Sequence, residues 1–360
     1  MGMMKEILIN EYDESLEKFR QLETIVAVLL AKTLEEGGIR PMQIAHRIKS
    51  RDSAMEKLER KPEKYSSINS LTDLIGFRII CYFNEQVDQM AELVSKVLDV
   101  DMSRSSDKRK LMAPTAFGYL SLHYICTLPK DKGYPEELTE IPFEIQFRTV
   151  LQHAWAEIEH DLGYKTEFGI PLEVRREFSR VAGLLEIADE SFSLIKWEIN
   201  TYVEMVRTAI KEDNADDYRL DLVTLTEFMN RSKLMNALVS EITSFSGSEI
   251  VKVSPESYLE RLLYLHLETL GDLTRFIEEE HDHALLLARG TLSGTDLDTL
   301  ASTVGFYYIC RARLVFGGLR EQELREYFSL GENKNEASRK MIEKQVASIL
   351  HLREKYSMID

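Results

Sequence analysis

Between Phe143 and Arg148 the chain reads Phe-Glu-Ile-Gln-Phe-Arg, so an apolar residue at every second position alternates with an acid, an amide and a base. Successive side chains of a strand point to opposite faces. Phe143, Ile145 and Phe147 therefore share one face, and Glu144, Gln146 and Arg148 share the other. A solvated edge strand has the same pattern, but a second run weighs against that reading. Tyr119, Ser121 and His123 alternate with Leu120, Leu122 and Tyr124, and a third segment supplies Asp73 and Arg78 around Gly76. A sheet face that collects acids, arginine, histidine, glutamine and tyrosine is suited to be a catalytic floor.

The chemistry those side chains support is phosphate transfer. Two carboxylates, Asp73 and Glu144, are the donor set for Mg²⁺, which is commonly held by one or two carboxylates and completed by substrate phosphates. The cluster Arg47, Lys49, Arg51 and Lys57 supplies positive charge for a nucleoside triphosphate, and Tyr119 offers a ring for a base to stack on. The chain has no Walker A motif and no GxGxxG after a strand, so neither a P-loop nor a kinase glycine-rich loop accounts for these residues.

Such a floor needs elements to hold it. Residues 11–36 carry Phe19, Leu22, Ile25, Val26, Leu29 and Leu30 at helical spacing, and Gly37-Gly38 ends the helix. A basic stretch follows, in which Asp52 or Ser53 can cap a short helix. Residues 71–83 read as a strand, 85–98 as a helix, a strand begins at about Tyr119, and 141–150 form another strand that runs straight into a helix. This order predicts an α/β (α+β) domain ending near Lys165. From about residue 170 long amphipathic patterns dominate, over 172–211, 222–245, 255–280, 297–316 and 320–355, and predict an all-helical C-terminal region. The expected division is an N-terminal helix over 1–38, a catalytic domain over 39–169 and a helical extension over 170–360.

Bulk composition narrows the class. The chain has 360 residues, 44% of them apolar, and a formal net charge of −16, which argues against broad attraction to nucleic acid or anionic membrane. Its three cysteines, Cys81, Cys126 and Cys310, form no CxxC pair, so a reducing, cytoplasmic setting is expected and a disulfide framework or structural zinc is not. No signal-peptide pattern and no apolar run of about 18 residues is read, so no membrane role is expected.

The ordered residues resemble the synthetase domain of the RelA/SpoT family across about residues 40–165, in the manner of stand-alone small alarmone synthetases. The most specific elements are Gly118, Tyr119, Ser121 and His123, followed by Glu144, Gln146, Arg148 and Thr149. His153, Trp155, Glu159, His160, Tyr164 and Lys165 come next in the chain. Arg47, Lys49, Ser53 and Lys57, then Asp73, Leu74, Gly76 and Arg78, stand in the family's order.

The resemblance implies a nucleotidyltransferase-like mixed sheet flanked by helices. It also implies a pyrophosphokinase that passes the β,γ-diphosphate of ATP to the 3′-hydroxyl of GDP or GTP, making (p)ppGpp. Carried over, Asp73 and Glu144 hold Mg²⁺, and Glu144 is also the base. Arg47, Lys49, Lys57 and Arg78 serve ATP. Tyr119, His123, Gln146 and Lys108 serve the acceptor. Extra helices in such enzymes imply homo-oligomers, and a neutralising or sensing domain is the other reading of the helical extension.

One departure bears on the acceptor. The family's P-K-x-N-G-Y approach is here Pro114-Thr115-Ala116-Phe117-Gly118-Tyr119, without the lysine and asparagine, and Lys108, Arg109 and Lys110 are the nearest substitutes for the lost charge. This keeps open a toxin-type acceptor, the tRNA 3′ end or an adenine nucleotide. A catalytically silent regulatory module is a third reading, against which the presence of both Asp73 and Glu144 weighs. The remaining candidates have plainer readings. His153 and His160 share a helix face and resemble metal ligands, but His160 beside Glu159 reads rather as a packing and hydrogen-bonding residue; Trp155 belongs to the core, and the acidic-histidine run over 278–283 reads as a solvated helix end rather than a metal site. Cys81 and Cys126 are small buried apolar residues within strands.

Overall fold

The computed structural model describes residues 2–60, 67–107, 109, 121–164, 171–295, 297–331 and 335–357. The chain divides into two compact units, Met1–Trp197 and Glu198–Asp360, a boundary later than the 169/170 division read from the sequence.

The first unit opens with helix α1 (Gly2–Glu36), whose Tyr12, Phe19, Leu22, Val26, Leu30 and Leu34 are buried at three-, four- and seven-residue spacing. The helix stops at Gly37-Gly38, and Gly38 takes the left-handed conformation (φ 71°) that usually falls to glycine at a helix C-terminus. Strand β1 (Gln43–Ile48) and helix α2 (Arg51–Arg60) follow, then β2 (Ile75–Cys81), α3 (Asn84–Ser95), the short strands β3 (Asp99–Val100) and β4 (Ser106–Asp107), β5 (Leu122–Thr127), β6 (Phe143–Thr149), α4 (Val150–Tyr164) and α5 (Leu172–Lys211).

The strands form one mixed sheet in the order β1-β2-β6-β5-β3, with β4 also on β5. Only the central pair, β2 and β6, is parallel; β1 on β2 and β5 on β6 are antiparallel. The alternation expected for β6 is present. Phe143, Ile145 and Phe147 are fully buried, while Glu144, Gln146 and Arg148 are partly exposed. The apolar face of the sheet meets α1 and α3, and Phe77 of β2 packs edge-on against Phe143 at 5.6 Å between ring centroids. With that face closed by helices, the polar face of β2 and β6 is left for the site.

Strand β1 does not announce itself in the sequence, where its residues belong to a basic stretch. It is an edge strand paired on one side only, with no fully buried residue, so it needs no apolar alternation. Helix α1 fixes its end: the Tyr12 hydroxyl donates to the Lys49 carbonyl (2.8 Å), and the Lys49 N–H donates to the Leu74 carbonyl (2.7 Å).

The second unit contains α6 (Leu222–Arg231), α7 (Lys233–Ser244), α8 (Glu256–Tyr264), α9 (Leu270–Leu292), α10 (Val304–Phe316), α11 (Glu321–Ser329) and α12 (Glu336–Tyr356) around its own core, which includes Leu238, Phe276, Ile277 and Phe306. It is helical as expected, with one correction. A two-stranded parallel pair, β7 (Glu249–Val251) with β8 (Thr299–Ala301), lies among the helices. Strands of three residues are too short to leave a period in the sequence. No helix among the described residues is long and apolar enough to cross a membrane.

Candidate active site

Strand register assembles the site. Arg47 of β1, Gly76 of β2 and Glu144 of β6 stand side by side in one row. The next row is Ala45, Arg78, Gln146 and, on β5, His123. A cavity of about 180 Å³ lies on this face, lined by Arg47, Asp73, Gly76, Arg78, Glu144 and Gln146 together with Ala45, His46 and Phe77. The residues expected to bind the donor and both expected carboxylates therefore converge, with Lys49 and Lys57 joined to the cavity through Asp73.

Asp73 precedes β2 and lies between two ammonium groups, Lys49 Nζ at 2.7 Å from Oδ2 and Lys57 Nζ at 2.8 Å from Oδ1. Burial works to raise its pKa, but the two lysines outweigh burial and hold the carboxyl below its ordinary value. Arg51, read with the same cluster, points elsewhere and pairs with Asp13 of α1 at 3.2 Å.

Glu144 is largely covered, and each of its oxygens accepts a hydrogen bond. A carboxylate only accepts, so His123 Nδ1–H donates to Oε1 (2.8 Å) and the Gln146 amide donates to Oε2 (2.9 Å). The remaining ring nitrogen of a neutral His123 then accepts from the Ser121 hydroxyl (2.5 Å). Burial pushes the Glu144 carboxyl up, as does the Asp73 charge, yet the bonds from His123 and Gln146 hold it below its ordinary value, so it is ionised at neutral pH. Gln146 keeps one polar atom unspent: its buried Oε1 has no partner.

Arg78 donates to Glu157 of α4 (2.7 Å) and lies 3.4 Å from His153. Arg148, to which the sequence reading gave no separate role, stands beside it. Burial and the neighbouring Arg78 push its guanidinium down to about 10, against Glu157 and Glu144, and its buried Nε has no partner. The signal was present, since Arg148 continues the same alternating face as Glu144 and Gln146. The same burial and arginine charge lower His153, which is held by its neighbours as a hydrogen-bonding residue. Tyr119 and Lys108 lie outside the described residues.

The donor set fits a divalent cation. Asp73 and Glu144 face one cavity closely enough for the charge of one to raise the pKa of the other. Among the described residues no group of three or more His, Cys, Asp or Glu is arranged to hold a metal. Two hard oxygen donors without a third protein ligand match an ion that keeps waters and takes phosphate oxygens. The acidic-histidine run over 278–283 is not a helix end: it lies within α9 (Leu270–Leu292), where the buried Glu280 pairs with Arg313 and with His283.

Residues 46–168 match the family model described as a region found in RelA/SpoT proteins. The chain is 30% identical over 157 residues to the GTP pyrophosphokinase YjbM of Bacillus subtilis, covering 43% of this chain and 72% of that protein. It is 28% identical over 157 residues to the GTP pyrophosphokinase YwaC of the same organism, covering 43% and 73%. The crystal structure of the small alarmone synthetase 1 from Bacillus subtilis aligns with a TM-score of 0.46 and 26% identity, over 53% of this chain and 99% of that one. By its matched region and its likeness to YjbM, the chain belongs to the RelA/SpoT family.

Proposed function

We propose that the protein is a pyrophosphokinase that transfers the β,γ-diphosphate of ATP to the 3′-hydroxyl of GDP or GTP, forming (p)ppGpp and releasing AMP. The observation that carries this reading is the convergence of Asp73, Glu144, Arg47, Arg78 and Gln146 on one cavity. The names of the relatives, both GTP pyrophosphokinases, agree with it.

In this reading Arg47, Lys49, Lys57 and Arg78 hold the donor phosphates. Lys49 and Lys57, each paired with Asp73, are compact charges on flexible stems that can turn from it to a phosphate oxygen when the donor enters. Mg²⁺, taken by Asp73 and Glu144, would supply charge neutralisation on the transferred group. Glu144 accepts the proton of the 3′-hydroxyl while the ribose oxygen bonds to the β-phosphorus. The bond from that phosphorus to the bridging oxygen breaks, and AMP leaves with the oxygen and its electron pair. Catalysis of this kind is mainly positioning and electrostatic stabilisation. His123 and Gln146 fix the Glu144 carboxylate from the acceptor side, and the unspent Gln146 oxygen is free to take an N–H of the acceptor. Tyr119 and Lys108 complete the acceptor side by the family resemblance.

The test is incubation with ATP labelled in the γ-phosphate, Mg²⁺ and one acceptor at a time: GDP, GTP, an adenine nucleotide or tRNA. Label on the guanine nucleotides is expected. Label only on tRNA or on the adenine nucleotide would overturn the acceptor assignment.

A further inference from the structure

Three consecutive residues of α1, Glu11, Tyr12 and Asp13, each hold a different point of the chain between Lys49 and Asp73. The Glu11 carboxylate accepts from the Ile68 N–H (2.9 Å), the first N–H of the 3₁₀ turn Ile68–Ser70 that leads to Asp73. The Tyr12 hydroxyl donates to the Lys49 carbonyl (2.8 Å). The Asp13 carboxylate accepts from Arg51 (3.2 Å) at the head of α2, the helix that carries Lys57. Lys49, Asp73 and Lys57 form the charge cluster beside the cavity. Each of the three therefore has its own tie to a helix that, among the described residues, lends no side chain to the cavity wall.

The ties are unequal. Arg51 and Asp13 are both about half exposed, and a pair so wet contributes little. The Ile68 side chain is itself buried, so packing shares the task of the Glu11 bond. The Tyr12 bond has no such substitute. Tyr12 is 5% exposed and lies edge-on to Phe19 in the apolar row of α1, a place that phenylalanine would fill as well. What tyrosine adds is the hydroxyl, and its acceptor is Lys49. The Lys49 backbone is thus held at both ends, by Tyr12 at its carbonyl and by the Leu74 carbonyl at its N–H (2.7 Å). Leu74 follows Asp73, so these two bonds also set the distance over which the Lys49 ammonium meets the Asp73 carboxylate.

We infer that Tyr12 is a positioning residue: through the Lys49 carbonyl it fixes where the Lys49 ammonium stands, and so sets the affinity for the donor triphosphate without touching it. The inference rests on the pyrophosphokinase reading and adds to it a residue of α1, a helix that the sequence divides from the catalytic domain. Without the hydroxyl, Lys49 keeps its bond to Leu74 but is released from α1. Its ammonium then spreads over more positions, and holding it on a phosphate costs more entropy. The acceptor side, built on β5 and β6, does not pass through this bond.

The experiment compares wild type, Tyr12→Phe, Lys49→Met and the double variant by calorimetric titration with ATP and with GDP, each with Mg²⁺, alongside thermal melting. Tyr12→Phe should weaken ATP about fivefold, the worth of one ordinary hydrogen bond, and leave GDP affinity unchanged. In the Lys49→Met background the same change should no longer affect ATP, because the group that Tyr12 positions is gone. A merely structural tyrosine would weaken both nucleotides, or weaken ATP equally in the two backgrounds, and either result overturns the inference. So does ATP affinity unchanged by Tyr12→Phe, or a Tyr12→Phe chain that no longer melts cooperatively. Wild-type protein that binds neither nucleotide defeats the functional reading and takes the inference with it. Wild-type binding with an indifferent Tyr12→Phe defeats the inference alone.

Discussion

Glu144 accepts from His123 at one oxygen and from Gln146 at the other, and that company keeps it ionised in a largely covered position. A carboxylate offers about four lone-pair sites, so a third donor, the acceptor hydroxyl, still finds one. Glu144→Gln keeps the shape and removes the basicity. We expect transfer to fall by about 10²–10⁴-fold, with ATP affinity within a few-fold of wild type, measured by steady-state kinetics and calorimetry on the same preparation. Equal loss of binding and turnover would mean that Glu144 builds the donor site rather than accepting the proton. At this scale the sequence was most informative for residues with a period behind them. Glu144, Gln146 and Arg148 could be assigned to one face because Phe143, Ile145 and Phe147 must occupy the other. The bond of His123 to Glu144 could not be read, because it crosses between strands whose register only the fold supplies.

Strand β6 passes into helix α4 without a loop, and Thr149 makes the turn. Its hydroxyl accepts from the Gln152 N–H (3.1 Å), and the Gln152 side chain accepts from the Thr149 N–H (3.0 Å). That reciprocal pair is a capping box with the T-x-x-Q signature. The same hydroxyl donates to Asp189 of α5 (2.6 Å), so one buried threonine starts one helix and anchors another. Thr149→Val removes the cap and leaves Asp189 without that donor. The expected cost is about 1–3 kcal/mol in urea unfolding, largely restored by Thr149→Ser. A neutral Thr149→Val would show that the junction is held by packing alone. Elements with a long apolar period, such as α1 and β6, were legible in the sequence. Strand β1 was not, because an edge strand with both faces partly wet has no pattern to display, although it delivers Arg47 to the site.

Over the whole molecule the charge runs against the site. A chain of net charge −16 gathers Arg47, Lys49, Lys57, Arg78 and Arg148 around two carboxylates that face one cavity, so the local field draws in an anionic substrate that the protein at large repels. The two units have separate apolar cores with no residue in common. Scanning calorimetry should therefore resolve two unfolding transitions, and ATP with Mg²⁺ should raise only the one that belongs to the nucleotide-binding unit. A single transition shifted as a whole would contradict independent cores. The helical character of the second unit was visible in its amphipathic periods, whereas the place where the units divide was not. The boundary falls within the continuous helix α5, where the pattern does not change.

The reaction itself is tested most directly by phosphorus NMR of the protein mixed with ATP, GDP and Mg²⁺. The expected spectrum gains AMP and a guanosine 3′-diphosphate in equal amounts, because one bond to the β-phosphorus is made for each one broken. Formation of ADP in place of AMP, or AMP with free pyrophosphate and unaltered GDP, would contradict diphosphate transfer at this site.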